Sequence, residues 1–301
     1  MVNNIKYPPK LEKGDKIGLV APAGIIKAEY VESAKKFFQS KGFDVIEGKH
    51  LYKNKGVFSA DDRLRLEDIN SMIRNNEIKA IVAVRGGYGS ARIIDKVDFN
   101  FLEKHPKWLV GFSDITVFHL ALSKYKIASL HATMPVNFET THPESLSSLT
   151  KALQNKKNIY TVEKTKFCRN GQAEAILTGG NLSIIYSLNS TKYEVNTDGK
   201  ILFIEDLSEY LYHLDRMMLN LKLSGKLENL AGIIVGGMND MKDGASKYGK
   251  SAYEIIYEHI KDYDYPAIFG FPAGHIHKNL CLTMNTKVKI LVNNTKSTIE
   301  F

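Results

Sequence analysis

Ile78-Lys-Ala-Ile-Val-Ala-Val-Arg-Gly-Gly-Tyr-Gly-Ser-Ala-Arg92 is the stretch that decides the fold. Its first seven residues, Ile78–Val84, form a short and nearly continuous apolar run, the pattern of a parallel strand buried on both faces. A glycine-rich turn follows and leads toward a helix. The same pattern recurs on either side, with apolar runs at Ile17–Ala21, Val45–Ile46 and Trp108–Gly111. Between the runs lie amphipathic stretches, Tyr30–Lys41, Asp61–Asn75 and Ile115–Lys124. The second of these opens on Ser59-Ala-Asp-Asp62, which reads as a capping-box start with Ser59 as the cap. Strands alternating with helices imply right-handed βαβ units and a doubly wound parallel sheet. Ligands of such sheets bind beyond the carboxyl ends of the strands, so chemistry is to be sought in the loops after the apolar runs.

The character changes over residues 137–172, which are rich in Ser, Thr and Lys and carry one expected helix, Glu144–Asn155. We read this stretch as a linker between an N-terminal domain, residues 1–136, and a C-terminal domain, residues 173–301. The second half resumes with strands at Ala173–Leu177, Ile201–Ile204, Gly232–Val235 and Ala267–Phe271. Helices are expected at Leu182–Leu188, Glu209–Leu223 and Ala252–Lys261. The closing run, Lys287-Val-Lys-Ile-Leu-Val-Asn-Asn-Thr-Lys-Ser-Thr-Ile-Glu-Phe301, alternates about Asn293-Asn294 and reads as an antiparallel hairpin. The expected architecture is α/β, with a doubly wound parallel sheet followed by a smaller mixed α/β domain.

Composition narrows the function. A chain of 301 residues is long enough for two domains at about 150 residues each. With 44% hydrophobic and 25% charged residues it is an ordinary globular sequence, which argues against disorder and coiled coil. No apolar run reaches the roughly 18 residues a spanning helix needs, so no membrane role is expected. The opening MVNNIKYPPKLEKGD has no apolar signal-peptide core, which points to the cytoplasm. The net charge of +8 (41 Lys and Arg against 33 Asp and Glu) is spread along the chain. Without an aromatic-interleaved basic stripe it argues for a mild attraction toward small anionic substrates rather than for nucleic acid. Cys168 and Cys281 have no CxxC companions and read as free thiols of a reducing compartment.

Arg85-Gly-Gly-Tyr-Gly-Ser-Ala-Arg92 fails as a dinucleotide fingerprint, because counting from Gly87 the third glycine position is Arg92. No P-loop occurs. What remains is a turn of backbone N–H groups near a helix start, suited either to holding negative charge or simply to tight packing. In Trp108-Leu-Val-Gly-Phe-Ser-Asp-Ile-Thr116 a buried strand runs into a turn that carries Ser113. This is the shape of a nucleophile elbow without its second glycine, and Ser-Asp before a helix is also an ordinary N-cap. A serine nucleophile needs a base. Of the nine histidines, His275 is best placed, in Phe271-Pro-Ala-Gly-His-Ile-His-Lys-Asn279. His277 completes an H-x-H pair, but further zinc ligands at recognisable spacing are missing, so no metal is expected. The base needs an acceptor, and the strand Ile201-Leu-Phe-Ile-Glu-Asp206 ends in two. Either Glu205 or Asp206 fits, and the other could cap the helix near Glu209.

Six motifs taken together resemble the LD-carboxypeptidases (muramoyltetrapeptide carboxypeptidases) and the related microcin-immunity peptidases, over nearly the whole chain. They are LEKGDKIGLVAPAG at Leu11–Gly24, AVRGGYGSAR at Ala83–Arg92, GFSD at Gly111–Asp114, TGGNL at Thr178–Leu182, FIEDLSE at Phe203–Glu209 and FPAGH at Phe271–His275. The resemblance implies a Rossmann-like N-terminal domain and a cofactor-free, metal-independent serine peptidase. On its motifs Ser113 is the nucleophile, His275 the general base and acid, and Glu205 the orienting carboxylate. Backbone N–H groups of Asp114, Gly86 and Gly87 would form the oxyanion hole. Arg85 and Arg92 are our candidates for reading the substrate carboxylate. The implied reaction releases a C-terminal D-alanine from murein tetrapeptides during peptidoglycan recycling, by a cytoplasmic protein that is often a homodimer. A second reading within the resemblance is an immunity peptidase that cleaves an aminoacyl-nucleotide antibiotic. A third, from another class, is a non-catalytic two-domain binding protein.

Overall fold

The computed structural model describes residues 5–301; Met1-Val-Asn-Asn4, on which the reading of the N-terminus partly rests, lies outside them. The described residues divide into two compact units, residues 5–156 with 277–285 and residues 157–276 with 286–301.

The first unit is built on a six-stranded sheet. Its order is Leu282–Met284, Ser129–His131, Trp108–Gly111, Ile78–Ala83, Lys16–Val20, Asp44–Glu47. All pairings are parallel except that of Leu282–Met284 with Ser129–His131. The central strands are buried on both faces, as their continuous apolar runs require. Helices Ala28–Ser40, Asp62–Arg74 and Thr116–Lys124 supply the crossovers. The first buries Val31, Ala34 and Phe38, one stripe at helical spacing. Phe38, Trp108, Leu19 and Val110 lie in the core of this unit, and each large apolar side chain removed from water contributes about 1.5–3 kcal/mol.

Two expectations change here. Ser59 does not cap the helix that follows it, because its hydroxyl donates to the Ala21 carbonyl. Asp61 is the cap, accepting from Leu64 N–H at 3.0 Å, since only a side chain three residues before that N–H reaches it. Residues 137–172 are not a free linker either. They include helix Pro143–Leu153, whose Leu149, Ala152 and Leu153 are buried in the first unit's core. They also include Ile159–Glu163, one of the two edge strands of the second unit's sheet. The polar composition belongs to the solvated face of that helix and to an edge strand that exposes alternate residues.

The second unit is a seven-stranded mixed sheet in the order Ala267–Phe269, Gly232–Asn239, Ile201–Leu207, Gly171–Asn181, Lys287–Val292, Lys296–Glu300, Ile159–Glu163. The long strand Gly171–Asn181 joins two regimes. Gly171 to Ile176 pair antiparallel with Lys287–Val292, and Leu177 to Asn181 pair parallel with Ile201–Leu207. The alternating burial of Lys287–Val292 marks a strand with one solvated face, and the full burial of Ile201–Asp206 marks one enclosed on both. The closing hairpin forms about residues 293–295, where Asn293 Oδ1 accepts from the N–H groups of Thr295 and Lys296. No helix among the described residues is long and apolar enough to cross a membrane.

Candidate active site

Ser113 follows the buried strand Trp108–Gly111 and opens a 3-10 turn, Ser113–Ile115, that runs into helix Thr116–Lys124. Its φ is +63°, left-handed for a residue with a Cβ, at a cost of roughly 1–2 kcal/mol. Ser113 is half-buried, and it is the first residue of the 3-10 turn, whose N-cap position is Phe112, so it is not placed as the cap.

The glycine turn after Ile78–Ala83 packs against this serine. A Cβ on Gly86 would stand 2.9 Å from Ser113 Cβ and 3.1 Å from its Oγ, so only glycine admits the backbone there. The Gly86 carbonyl accepts from Gly24 N–H at 3.0 Å, fixing the turn to the loop of the APAG motif. Asp114 is buried, and its Oδ2 accepts from Ser90 N–H at 2.8 Å. Burial pushes its carboxyl above the ordinary range against the pull of the Ser90 hydrogen bonds. Because Asp114 is only the second residue of its helical turn, its N–H has no acceptor within that turn. Ser113, Gly86, Gly87 and Asp114 therefore form one cluster in the first unit.

Glu205 and His275 meet in the second unit. Glu205 lies in the C-terminal half of the buried strand Ile201–Leu207 and is completely enclosed. His275 Nδ1 lies 2.7 Å from Glu205 Oε2, and the His275 backbone N–H donates to the same oxygen at 3.2 Å. Asn181 Nδ2 donates to Glu205 Oε1 at 3.3 Å and to Asp206 Oδ1 at 3.0 Å. Burial on its own would lower the His275 pKa, yet the charge and hydrogen bond of Glu205, with Asp206 behind them, raise it above its ordinary value. A neutral imidazole held this way carries its proton on Nδ1, which makes Nε2 the basic nitrogen of the ring.

The ambiguity between the two acids resolves on geometry. Asp206 accepts from Ser183 N–H at 2.8 Å, so it serves the start of helix Leu182–Ser187, not the helix Leu211–Leu223 that follows it in sequence. Burial and the neighbouring Glu205 charge push it up to about 7. The other histidines have different company. His213 pairs with Glu209 and His259 with Asp215, both acids partly exposed, while His119 is buried between Ser129 Oγ and the Gly111 carbonyl. His277 belongs to the first unit and packs edge-on to His142, with ring centroids 5.8 Å apart. Among the described residues no three His, Cys, Asp or Glu side chains converge as a metal site.

The arginines part company. Arg92 spends its Nε and Nη2 on the Asp62 carboxylate at 2.9–3.1 Å. Arg85 is exposed and donates one N–H to the Ile25 carbonyl at 2.9 Å. Sequence reasoning gave no role to Asn181, although TGGNL places an Asn directly before a helix. It also missed Arg65, a charged residue on what reads as the apolar face of Asp62–Arg74.

A two-unit α/β protein with a strained, half-exposed serine in one unit and a buried carboxylate–imidazole pair in the other carries the residue types of acyl-transfer hydrolases. The comparisons specify the class further. Residues 17–132 match the LD-carboxypeptidase N-terminal domain and residues 174–290 the LD-carboxypeptidase C-terminal domain. The probable murein peptide carboxypeptidase of Bacillus subtilis (strain 168) is 33% identical over 99% of this chain and 96% of its own length. The microcin C7 self-immunity protein MccF of Escherichia coli is 24% identical over 96% of this chain and 94% of its own. The muramoyltetrapeptide carboxypeptidase from Oxalobacter formigenes superposes with a TM-score of 0.86 at 25% identity, covering 95% of this chain and 98% of that one. The chain belongs to the LD-carboxypeptidase family.

Proposed function

We propose that this protein is a serine carboxypeptidase that hydrolyses the L,D-peptide bond of murein tetrapeptides and releases the C-terminal D-alanine. The observation that carries this reading is the 2.7 Å approach of His275 Nδ1 to the fully buried Glu205. A histidine oriented by an enclosed carboxylate is built to accept and return a proton. Ser113 is the nucleophile of the reading. Nε2 of His275 takes the Ser113 proton as Oγ bonds to the scissile carbonyl carbon. The resulting oxyanion is held by the N–H groups of Asp114 and of the Gly86–Gly87 turn. The imidazolium then protonates the leaving nitrogen, the C–N bond breaks, and D-alanine departs. Water, deprotonated by the same imidazole, cleaves the acyl ester and restores Ser113.

An exopeptidase also has to bind a free carboxylate. Arg85 is the better candidate, since it is exposed and pairs with a backbone carbonyl rather than with an acid among the described residues, whereas Arg92 is engaged by Asp62. The reading further takes the protein to be cytoplasmic and homodimeric, the latter testable by light scattering. Mass spectrometry of defined murein tetrapeptides decides the function. Loss of one alanine is expected from the D-alanine-terminated peptide and none from its L-alanine-terminated control. No release from either, with cleavage of an acylated aminoacyl-nucleotide instead, would move the protein to the immunity branch.

A further inference from the structure

Arg65 is an unusual residue for the inward face of helix Asp62–Arg74: it is 2% exposed, and its guanidinium is spent entirely inside the first unit. Nε donates to the Ala60 carbonyl at 3.2 Å. Nη1 donates to the Pro22 carbonyl and, at 3.0 Å, to the Gly89 carbonyl. Nη2 lies 2.5 Å from Asp62 Oδ1, and the Phe58 ring centroid is 5.0 Å from the guanidinium carbon. One buried side chain thus joins the APAG loop, the start of its own helix and the far end of the glycine turn.

Of the joined pieces, the glycine turn reaches Ser113 through Gly86. Gly86 and Gly87 pack on Gly24, two residues beyond Pro22. Gly89, which Arg65 holds, precedes Ser90, whose N–H is held by the Asp114 carboxylate. Fixed contacts therefore run from Arg65 to both ends of the turn and on to the residue after Ser113. Gly89 has φ +138°, and a Cβ there would stand 2.6 Å from Arg65 Nη1, so the turn and the guanidinium are fitted to each other. A planar fork with several donors suits this task, which an ammonium could do only in part. We infer that Arg65 is a positioning residue, setting the Gly86–Gly87 turn and the Asp114 N–H at the geometry that holds the oxyanion of acyl transfer at Ser113. The inference rests on the proposed role of Ser113.

The test compares Arg65→Met, Arg65→Lys, Gly89→Ala and Ser113→Ala in the full chain. D-alanine release is normalised to the folded fraction from melting curves. Misplacing oxyanion donors costs on the order of 10²-fold in rate, so Arg65→Met is expected to lower kcat by about that factor. KM should stay within about threefold, because the loss lies in the transition state. Arg65→Lys should recover about tenfold of the loss by keeping one donor on a carbonyl. A loss that disappears on normalisation, or falls equally on kcat and KM, would assign Arg65 to folding alone and overturn the inference. If Arg65→Met does not fold, Gly89→Ala carries the test, and undiminished kcat there overturns it as well. Wild-type activity in Ser113→Ala would instead overturn the reading of the nucleophile, which is a separate failure.

Discussion

Gly274 lies against the Glu205 carboxylate so closely that a Cβ on it would stand 2.5 Å from Oε2 and 2.8 Å from Glu205 Cβ. Its φ of +107° is also one that L side chains rarely adopt. The glycine before His275 is thus a condition for the acid–imidazole pair. Gly274→Ala should destabilise the protein by about 1–3 kcal/mol through backbone strain and the clash. If His275 is the base, as proposed, the substitution should also lower kcat by at least about tenfold, since a small misplacement of such a group is costly. Thermal unfolding and D-alanine release check the two effects, and an active, fully stable variant would contradict this account.

The pH dependence follows from the same pair. In the proposed mechanism His275 has to be neutral to take a proton, and Glu205 raises its pKa above the ordinary 6.5. Activity should therefore rise with pH through a value above 6.5, and Glu205→Gln should shift that limb downward while lowering kcat. For stability the sign is opposite. A raised folded-state pKa favours the protonated fold, so this contribution is complete below the unfolded value and disappears as pH rises through the folded one. A pH–rate profile with its acid limb below the ordinary histidine range would count against the pairing.

Much of this was legible in the chain itself. The strands around Ile81, Val110 and Phe203 and the amphipathic helices between them are local patterns, and burial on one or both faces writes itself into consecutive residues. The strand-to-helix turn that carries Ser113 and the Pro-Ala-Gly-His loop that carries His275 were also visible, because both are local. What stayed hidden was the choice of partners. Asp206 serves a helix start 23 residues earlier, at Ser183. Arg92 is tied to Asp62, 30 residues before it. Ser59 reaches a strand end at Ala21. Such pairings depend on which loops the sheets bring together, and neighbouring residues carry no record of that.

Asp206 gives a test that is read in stability. Its pKa is pushed up to about 7 by burial and by the charge of Glu205, from an ordinary 3.8. The folded state thus holds the proton more tightly than the unfolded chain. Its contribution is complete below about pH 4 and fades as pH rises toward 7. Across that window the slope is at most about 1.4 kcal/mol per pH unit from this group. Denaturant titrations of the wild type and Asp206→Asn should diverge in slope over that range, and parallel curves would refute the shift.

The two arginines should separate in kinetics. Arg92→Gln removes a surface ion pair with Asp62, worth about 0–1 kcal/mol, and should leave KM unchanged within about twofold. Arg85→Gln should raise KM for the tetrapeptide by about tenfold or more with a smaller change in kcat, the pattern of lost substrate binding. The reverse order of effects would assign the carboxylate to Arg92.

Ser113 itself sets stability against chemistry. With φ at +63° it carries a backbone cost that glycine does not. Ser113→Gly should therefore stabilise the first unit by about 1 kcal/mol while abolishing turnover. Ser113→Ala should abolish turnover with no such gain, because alanine keeps the Cβ that makes the left-handed turn costly. Side-by-side melting curves read the difference directly. Equal stability of the two variants would mean that the elbow holds no strain.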